Sequence, residues 1–373
     1  MLAGVHTTER VRLADYTTLH LGGPAGRFVE AGTAEDLIEA VRSADAEPEP
    51  VLVLGGGSNL VVADEGFPGA VVLAACAGVD FAGTPEGVEV TAAAGQDWDE
   101  LVQQCVDAGL SGVECLSGIP GRAGATPIQN VGAYGQEVAQ VITRVRAYDR
   151  LADRVSLLTP AECQFGYRTS MFKRQASAAT GSRRNARGAA LNPATATGRF
   201  VVLDVTFRLA ASPLSGPVRY RELSRVLGVA EGSQVPLAEA RAAVLDLRRA
   251  KGMVLDESDP DTRSAGSFFT NPIVTAAQHA DMAVDMPHWP EQGDRVKLSA
   301  AWLIERSGFI RGHRLAGDPH GARISTKHTL ALTNPDGADT RSLIRLAREI
   351  RDGVQAKFGV ELVNEPMLVG VEL

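Results

Sequence analysis

The sequence predicts an α+β fold divided into more than one domain. The chain has 373 residues, which exceeds the size at which a single hydrophobic core usually keeps growing. Its first part alternates between apolar strand patterns, at Val51–Leu54, Leu60–Val62 and 70–74, and a helical pattern at 33–44. Strand and helix patterns alternate again further along the chain, which is typical of mixed α+β units.

The helix predicted over 33–44 begins at a capping signal. Thr33 can accept a hydrogen bond from the backbone three residues on, where Asp36 stands in the reciprocal position. Three apolar side chains then share one helical face: Leu37, Ile38 and Val41.

A second unit starts with a strand at 88–93 and a helix at 97–108, in which Asp97 and Glu100 have capping-box spacing. A strong strand pattern at 200–209 and a helix at 236–251, with Pro236 at its first position, follow. A third unit begins near residue 259. Its clearest helix is Thr340–Phe358, and the stretches 361–363 and 368–371 are predicted as closing strands.

Composition excludes several classes of protein. The formal net charge is -8 and aromatic residues make up 5% of the chain, so a nucleic-acid-binding function is disfavoured. The polar stretch 1–10 has no apolar core of a signal peptide, and no apolar run approaches the roughly 20 residues that span a bilayer. We therefore expect a cytoplasmic protein without membrane insertion.

Cysteine spacing argues against a metal site. The four cysteines, Cys76, Cys105, Cys115 and Cys163, form no C-x-x-C pair, and no His/Cys spacing resembles a zinc site. Buried free thiols in a reducing compartment are the prediction. The stretch 174–199 is rich in Ala, Ser, Thr and Arg, which predicts a disordered surface loop, with a partner-binding or nucleic-acid-binding arm as the alternative.

Two glycine-rich segments are candidates for binding a pyrophosphate-containing cofactor. The first, Gly55-Gly56-Gly57-Ser58-Asn59-Leu60, follows a strand, and its backbone N–H groups can surround an anion. It matches neither the P-loop nor G-x-G-x-x-G, and a tight turn explains three glycines as well. The second is the long loop 118–135, in which Gln129, Asn130 and Tyr134 can contact a heteroaromatic ring.

Three further motifs carry polar groups suited to catalysis. Arg168 lies among aromatic residues and can bind a carboxylate in a bidentate manner, although a surface ion pair is the simpler explanation. Ser267 precedes two phenylalanines that can exclude water around a proton donor, or can merely pack in the core. Glu365 is held extended by the following proline and can assist proton transfer, or can simply be solvated.

In order, these segments read G-G-G-S-N, G-I-P-G…P-I-Q-N-x-G-A-Y-G, F-G-Y-R-x-S-x-F, G-S-F-F-x-N-P and a late E-P. The set resembles the UDP-N-acetylenolpyruvoylglucosamine reductase (MurB) family, and matching segments run from residue 17 to residue 366. The resemblance implies a two-subdomain FAD-binding unit of the vanillyl-alcohol-oxidase (PCMH) type and a smaller α+β substrate-binding domain. The implied boundaries are 1–76 closed by 362–373, then 77–258 with the insertion 174–199, and finally 259–361.

The resemblance also implies a cofactor and a reaction. The family reduces the enolpyruvyl ether of a UDP-amino sugar with NADPH as co-substrate and FAD as bound cofactor, a cytoplasmic step in peptidoglycan precursor synthesis. The positions that match its cofactor-binding motifs are Gly55, Gly56, Gly57, Ser58, Asn59, Leu60, Gly118, Ile119, Pro120, Gly121, Ala125, Gln129, Asn130, Gly132 and Tyr134.

By the same matches, Arg168 contacts the substrate carboxylate, Ser267 donates the proton and Glu365 is their acidic partner. Substrate-binding positions are implied at Tyr220, Arg248, Lys251 and Asn271. Two rival interpretations remain. A flavin oxidase or dehydrogenase of the same fold, acting on an alcohol or lactone, would share the glycine loops. A non-catalytic sugar-nucleotide-binding protein that had lost FAD would need none of the three catalytic residues.

Overall fold

A computed structural model describes residues 6–8, 11–47, 49–177, 196–282 and 285–373 of the chain, with the backbone alone at 6, 7 and 175–177. The chain divides into two compact units, each built from separate stretches of sequence. Unit 1 comprises Met1–Val11, Pro24–Gly57 and Phe67–Arg249, and unit 2 comprises Arg12–Gly23, Ser58–Gly66 and Ala250–Leu373. The three-part domain division inferred from the sequence stays a prediction.

The α-helices and β-strands are numbered in chain order. The helices are α1 Ala34–Ala46, α2 Trp98–Asp107, α3 Pro160–Cys163, α4 Met171–Ser177, α5 Arg221–Leu227, α6 Leu237–Ala250, α7 Ala276–Asp281, α8 Ala300–Arg306 and α9 Thr340–Phe358. The strands are β1 His6–Thr8, β2 Ala25–Ala31, β3 Val51–Leu54, β4 Leu60–Val62, β5 Phe67–Ala74, β6 Val79–Thr84, β7 Gly87–Ala93, β8 Leu110–Ser111, β9 Gly132–Ala133, β10 Gln136–Glu137, β11 Ile142–Asp149, β12 Arg154–Leu158, β13 Phe200–Ala211, β14 Ser264–Ser267, β15 Ile273–Thr275, β16 His288–Glu291, β17 Arg295–Leu298, β18 Arg323–Ile324, β19 Ala331–Thr333 and β20 Met367–Val369.

Unit 1 contains a four-stranded sheet in the order β1-β2-β5-β3, in which β2, β5 and β3 are parallel and β1 is antiparallel. Helix α1 covers this sheet and begins at the Thr33–Asp36 capping box that the sequence predicts. The apolar stripe of the helix is buried because it packs against the strands. Strand β3 ends at Leu54, so the three glycines follow the carboxyl end of a parallel strand.

The second sheet of unit 1 is antiparallel, in the order β12-β11-β13-β7-β6, with β8 pairing to the end of β13. Helix α2 packs its apolar face on this sheet, and the Trp98 and Phe207 ring centroids lie 5.7 Å apart. Asp97 caps the helix by accepting hydrogen bonds from the backbone of Asp99 and Glu100. Capping and amphipathic burial together fix where α2 begins.

Unit 2 is built around helices α8 and α9 and three small sheets, ordered β14-β19-β18, β15-β17-β16 and β20-β4. The first two are antiparallel, whereas β20 runs parallel to β4. The core includes Phe268 and Phe269, each 1% exposed, with their rings in an edge-to-face contact at 5.1 Å. This core supports the segment that carries Ser267.

Most predicted elements are confirmed, since α1, α2, α6 and α9 cover the four predicted helices. The prediction of a strand at 361–363 is wrong. This stretch makes one backbone hydrogen bond, from Thr270 N to Val363 O at 3.0 Å, and an isolated bridge joins Phe269 to Asn364. The chain therefore pairs too briefly there to form a ladder, and the closing strand is β20 alone.

Most of the predicted disordered stretch 174–199 lies outside the described residues, at 178–195. Its first described flank is helical, and its second is held by hydrogen bonds and an ion pair. Arg174 lies in α4, and the amide nitrogens of Ala196 and Thr197 both donate to Val51 O at 3.0 Å. Arg199 pairs with Asp149 at 2.5 Å. The returning flank is thus attached to the edge of β3 in unit 1.

Candidate active site

The glycine triplet after β3 touches the second glycine-rich loop at one point. A Cβ placed on Gly56 would lie 2.7 Å from Cα of Gly121, which is closer than real carbon atoms approach. Position 56 therefore needs glycine in this arrangement, and Gly121 has a φ of 132°, a backbone conformation that favours glycine. The contact brings together two of the predicted cofactor-binding segments within unit 1, and it leaves backbone rather than side chains at their meeting point.

The start of the second loop is fixed on the segment around the N-terminus of α2. Trp98 N donates to Gly121 O at 3.1 Å, and Ala123 N donates to Gln96 O at 2.8 Å. Arg122 lies 3.6 Å from the Asp97 carboxylate. These bonds hold residues 121–123 in a defined path, and the predicted position Ala125 closes the short 3-10 turn that follows.

Sequence reasoning missed a charged pair that supports Gly118. Asp99 accepts a hydrogen bond from Gly118 N at 2.6 Å and binds both terminal nitrogens of Arg241, at 2.7 and 2.9 Å. Burial acts to raise the pKa of Asp99, but hydrogen bonds from Arg241 and Gly118 hold this pKa below its ordinary value. Because Asp99 and Arg241 are 142 residues apart, no local pattern could have identified the pair.

Asn130 and Arg168 lie together in unit 1, and both have a positive φ, of 48° and 49°. The Asn130 side chain donates to Glu137 at 2.8 Å and to Gly166 O at 3.2 Å, and it accepts from Ala139 N at 3.1 Å. Arg168 donates to Gly132 O at 2.7 Å. Asn130 thus shapes the loop through its side chain, and its direct contact with a cofactor stays a prediction.

Tyr134 lies at the tip of a short hairpin formed by β9 and β10. Its ring contacts the ring of Tyr220 edge to face, with centroids 5.4 Å apart. The predicted cofactor-binding and substrate-binding tyrosines are therefore neighbours in unit 1. Burial raises the pKa of Tyr134 to about 12, although the charge of Arg248 acts in the opposite direction. The phenol therefore remains protonated at neutral pH.

Arg248 is 8% exposed and lies on α6, the helix that also carries Arg241. Burial lowers the pKa of its guanidinium, whereas the nearby Tyr134 and Asp99 act to raise it.

The other predicted positions of the second loop, Ile119, Pro120 and Gln129, are partly buried. Ile119 packs against the core beneath the antiparallel sheet.

In unit 2 the segments of Ser267 and Glu365 are joined through the backbone. Ser267 ends β14, and the next residue, Phe268, accepts a hydrogen bond from Glu365 N at 2.8 Å. The Asn59 side chain approaches Glu365 O at 3.4 Å, and Met367 N donates to Asn59 O at 2.9 Å. Two of the three predicted catalytic residues therefore lie on adjoining segments, whereas Arg168 belongs to unit 1.

The remaining predicted residues of unit 2 have structural contacts of their own. Leu60 begins β4, which pairs with β20, and Ser58 precedes that strand. The Asn271 side-chain oxygen accepts from Ala300 N at 3.0 Å at the start of α8, which leaves its amide group as a donor. Lys251 is half-buried, directly after α6.

The described part of the chain has neither a metal-binding cluster of side chains nor a membrane-spanning helix. Within residues 6–8, 11–47, 49–177, 196–282 and 285–373, no three His, Cys, Asp or Glu side chains cluster in a way that would hold a metal ion. Over the same ranges, no helix combines the length and apolar character needed to cross a bilayer. All four cysteines are free and buried, and burial raises the pKa of Cys105, Cys115 and Cys163 to about 12.

Comparison with known proteins gives two family matches. Residues 259–369 match the C-terminal domain of UDP-N-acetylenolpyruvoylglucosamine reductase, and residues 25–155 match an FAD binding domain. The crystal structure of UDP-N-acetylenolpyruvylglucosamine reductase (MurB) from Thermus caldophilus superposes with a TM-score of 0.62 at 27% identity, over 98% of this chain and 99% of the other. The α+β fold class is therefore confirmed.

Curated relatives extend the match over the whole chain. The UDP-N-acetylenolpyruvoylglucosamine reductase of Thermobifida fusca is 54% identical over 98% of this chain and 98% of its own length. The protein of the same name from Salinispora arenicola is 52% identical over 99% of this chain and 97% of its own length. Similarity at this level, together with both family matches, shows that the chain belongs to the UDP-N-acetylenolpyruvoylglucosamine reductase family.

Proposed function

We propose that this chain is a UDP-N-acetylmuramate dehydrogenase. It would reduce UDP-N-acetyl-3-O-(1-carboxyvinyl)-glucosamine to UDP-N-acetylmuramate with NADPH and bound FAD, in the cytoplasm, as a step of peptidoglycan precursor synthesis. The proposal therefore connects the protein to cell-wall biogenesis, cell shape and cell division. The observation that carries it is the 54% identity to a reductase of this name over 98% of both chains.

The glycine segments of unit 1 fit the pyrophosphate of FAD. At the contact of Gly56 with Gly121 a single Cβ would fill the space, and the nearest atoms that it would meet are the backbone Cα, C and N of Gly121. A turn lined by backbone in this way can present N–H groups to an anion. Gly55–Gly57 and residues 118–134 would hold the cofactor, with Asp99 supporting Gly118. When bound, FAD supplies a two-electron carrier between NADPH and the sugar substrate. The protein supplies orientation, charge and exclusion of water.

The net reaction adds a hydride to the terminal alkene carbon of the substrate and a proton to the neighbouring carbon. We assign the proton to the Ser267 hydroxyl, which would recover its own proton from solvent. The buried rings of Phe268 and Phe269 support this assignment, because they anchor the segment directly after Ser267 in the core and so fix the position of the serine. The hydroxyl is a weak acid, so the carbon that it protonates must be strongly basic.

Negative charge develops on the substrate carboxylate before protonation, and we assign its stabilisation to Arg168 and Glu365. The guanidinium of Arg168 is oriented by its hydrogen bond to Gly132 O, which reduces the reorganisation needed when a carboxylate binds. Glu365 is held by its backbone bond to Phe268. In its protonated form Glu365 would donate a hydrogen bond to the same carboxylate.

The UDP part of the substrate is assigned to Tyr220, Arg248, Lys251 and Asn271. Tyr220 is 45% exposed as a whole residue, and its ring lies edge to face with that of Tyr134. Burial disfavours the charge of Arg248, and a diphosphate beside it would offset that cost. The chain has a net charge of -8, so an anionic substrate needs such local cations.

One experiment separates this function from its rivals. The purified protein should show flavin absorbance at about 450 nm and should oxidise NADPH catalytically, beyond the single reduction of its flavin, only when the enolpyruvyl sugar is present. Absence of flavin in the folded protein would favour the non-catalytic sugar-nucleotide-binding alternative. Turnover with an alcohol or lactone, but not with the enolpyruvyl sugar, would favour an oxidase or dehydrogenase of the same fold.

The proton donor has its own test. Ser267→Ala should retain FAD and its reduction by NADPH, because the hydroxyl acts only on the sugar substrate. Turnover with the enolpyruvyl sugar should fall by about 10² to 10⁴, the range for a positioned acid. Stopped-flow absorbance separates the two half-reactions. Normal product formation by Ser267→Ala would transfer the role to Glu365 or to a bound water.

A further inference from the structure

Glu114 is a fully buried carboxylate that none of the motifs singled out. It is 0% exposed, and its two oxygens accept three hydrogen bonds from neutral donors. One oxygen accepts from Gln136 Nε2 at 2.8 Å and from Gly216 N at 2.6 Å, and the other accepts from Gly112 N at 2.7 Å. Burying a carboxylate costs free energy unless its oxygens accept hydrogen bonds. The three bonds therefore indicate that Glu114 has a defined structural role.

The first use is to fix strand β10. Gln136 gives its amide N–H to Glu114 and accepts a hydrogen bond from Cys115 N at 2.8 Å through its oxygen. Both ends of the Gln136 side chain are therefore bound by neighbouring residues of one segment. Since β10 pairs with β9 through Gln136 and Ala133, this pair of side chains attaches the hairpin to the segment that carries Glu114.

The hairpin needs this support because its turn is strained. The two residues between β9 and β10 are Tyr134 and Gly135, with φ of +48° and +86°. Positive φ at both central residues is the requirement of the tight hairpin turn that Asn-Gly and Gly-Gly normally occupy. A bulky tyrosine at the first position is disfavoured, and such conformations persist only where the surroundings impose them.

The second use is to fix the segment that leads to Tyr220. Gly216 N binds the same carboxylate oxygen as Gln136, so the two segments share one acceptor. They meet again further on, because a Cβ on Gly135 would lie 3.2 Å from Cβ of Arg219. Beyond that point, the rings of Tyr134 and Tyr220 make an edge-to-face contact between the same two segments.

We propose that Glu114 is a positioning residue for substrate binding. Its carboxylate holds the strained hairpin against the 216–220 segment, and this fixes the Tyr220 ring on Tyr134. The proposal rests on the proposed function, in which Tyr220 contacts the UDP diphosphate. Glu114 itself touches neither substrate nor cofactor and acts through Tyr220.

The test is Glu114→Gln, which keeps the size of the side chain. Whichever way the new amide lies, its NH₂ group faces at least one buried N–H donor that formerly met an oxygen. We expect the KM for the enolpyruvyl sugar to rise about tenfold, while NADPH-dependent flavin reduction changes less than about twofold. In a Tyr220→Ala background the same substitution should have no further effect on KM, because the residue through which it acts is gone.

A second measurement does not depend on activity. The chain has five tyrosines, so 3-fluorotyrosine labelling should give five fluorine resonances, two of them assigned by Tyr134→Phe and Tyr220→Phe. Glu114→Gln should shift or broaden these two resonances. The control is Asp45→Asn, which removes another buried carboxylate of unit 1, bound to Arg150, and should leave both resonances and the KM unchanged.

The outcomes are separable. Unshifted Tyr134 and Tyr220 resonances in folded Glu114→Gln would overturn the proposal whatever the activity. Shifted resonances with an unchanged KM, or equal effects from Asp45→Asn, would overturn the role in substrate binding. If the unmodified holoenzyme itself shows no NADPH oxidation with the enolpyruvyl sugar, the proposed function fails, and the fluorine spectra still decide whether Glu114 positions the two tyrosines.

Discussion

Replacing Gly56 with alanine tests whether the two glycine-rich segments of unit 1 form the FAD site. The substitution adds one methyl group, and its Cβ would lie 2.7 Å from Cα, 3.2 Å from C and 3.4 Å from N of Gly121. All three neighbours are backbone atoms. No side chain can rotate away, so the two segments must separate.

The size of the effect follows from these distances. Carbon atoms in contact ordinarily lie about 3.5 to 4.0 Å apart, so the methyl group overlaps Gly121 by about 1 Å. Overpacking of this kind costs about 1–3 kcal/mol. If both segments bind the FAD pyrophosphate in their present positions, this cost raises the dissociation constant for FAD by about 5- to 150-fold.

The assay is titration of the apoprotein with FAD, followed by flavin fluorescence, together with thermal unfolding of the same samples. The matched control is Gly83→Ala in strand β6, where an added Cβ meets nothing within 4 Å. The control should bind FAD as the unmodified protein does. Unchanged FAD affinity in a folded Gly56→Ala protein would refute the assignment of this contact to the pyrophosphate site.

Two further predictions concern charge. Lys251→Ala should raise the KM for the UDP-sugar far more than the KM for NADPH, both measured by NADPH oxidation; equal effects on both would indicate a structural role. Asp99→Asn should destabilise the protein to urea at pH 7, because the folded-state pKa of Asp99 lies below its ordinary value of 3.8. This stabilisation is present above the ordinary pKa and is lost as pH falls through the lower, folded-state pKa, so the two proteins should converge in stability in strong acid. A difference in stability that is independent of pH would contradict the role of the charge.

Local signals predicted the helices well because their causes are local. Thr33 and Asp97 accept hydrogen bonds from backbone groups within three residues, so the sequence alone contains the capping interaction. The long helix α9 was predicted with its observed ends, Thr340 and Phe358, because an amphipathic repeat runs the whole length. The strand predicted at 361–363 is wrong for a non-local reason. A strand needs a partner elsewhere in the chain, and next to this stretch the described part of the chain forms only an isolated bridge, between Phe269 and Asn364.

The sequence predicts the motifs of the candidate site but not the residues that hold those motifs in place. Glycine clusters and the motifs around Arg168 and Ser267 are visible along the sequence. Asp99 and Glu114 are not, because their partners lie far away: Arg241 is 142 residues from Asp99, and Gly216 is 102 residues from Glu114. An acidic residue in a helix or turn gives no sign of which distant groups it will bind, so only the folded chain identifies these two carboxylates.

Backbone strain links the motif residues to their supports. Asn130, Tyr134 and Arg168 all have positive φ, a conformation that costs on the order of 1 kcal/mol or more for a non-glycine residue. Two of them are held by hydrogen bonds to the same hairpin: the Asn130 side chain binds Glu137 at its end, and Arg168 binds Gly132 O at its start. These bonds therefore maintain a shape that the chain would not adopt unaided. A site whose backbone already has its binding conformation loses less conformational entropy when a ligand binds. The strained residues therefore pre-organise the site for binding, although they lower the stability of the fold.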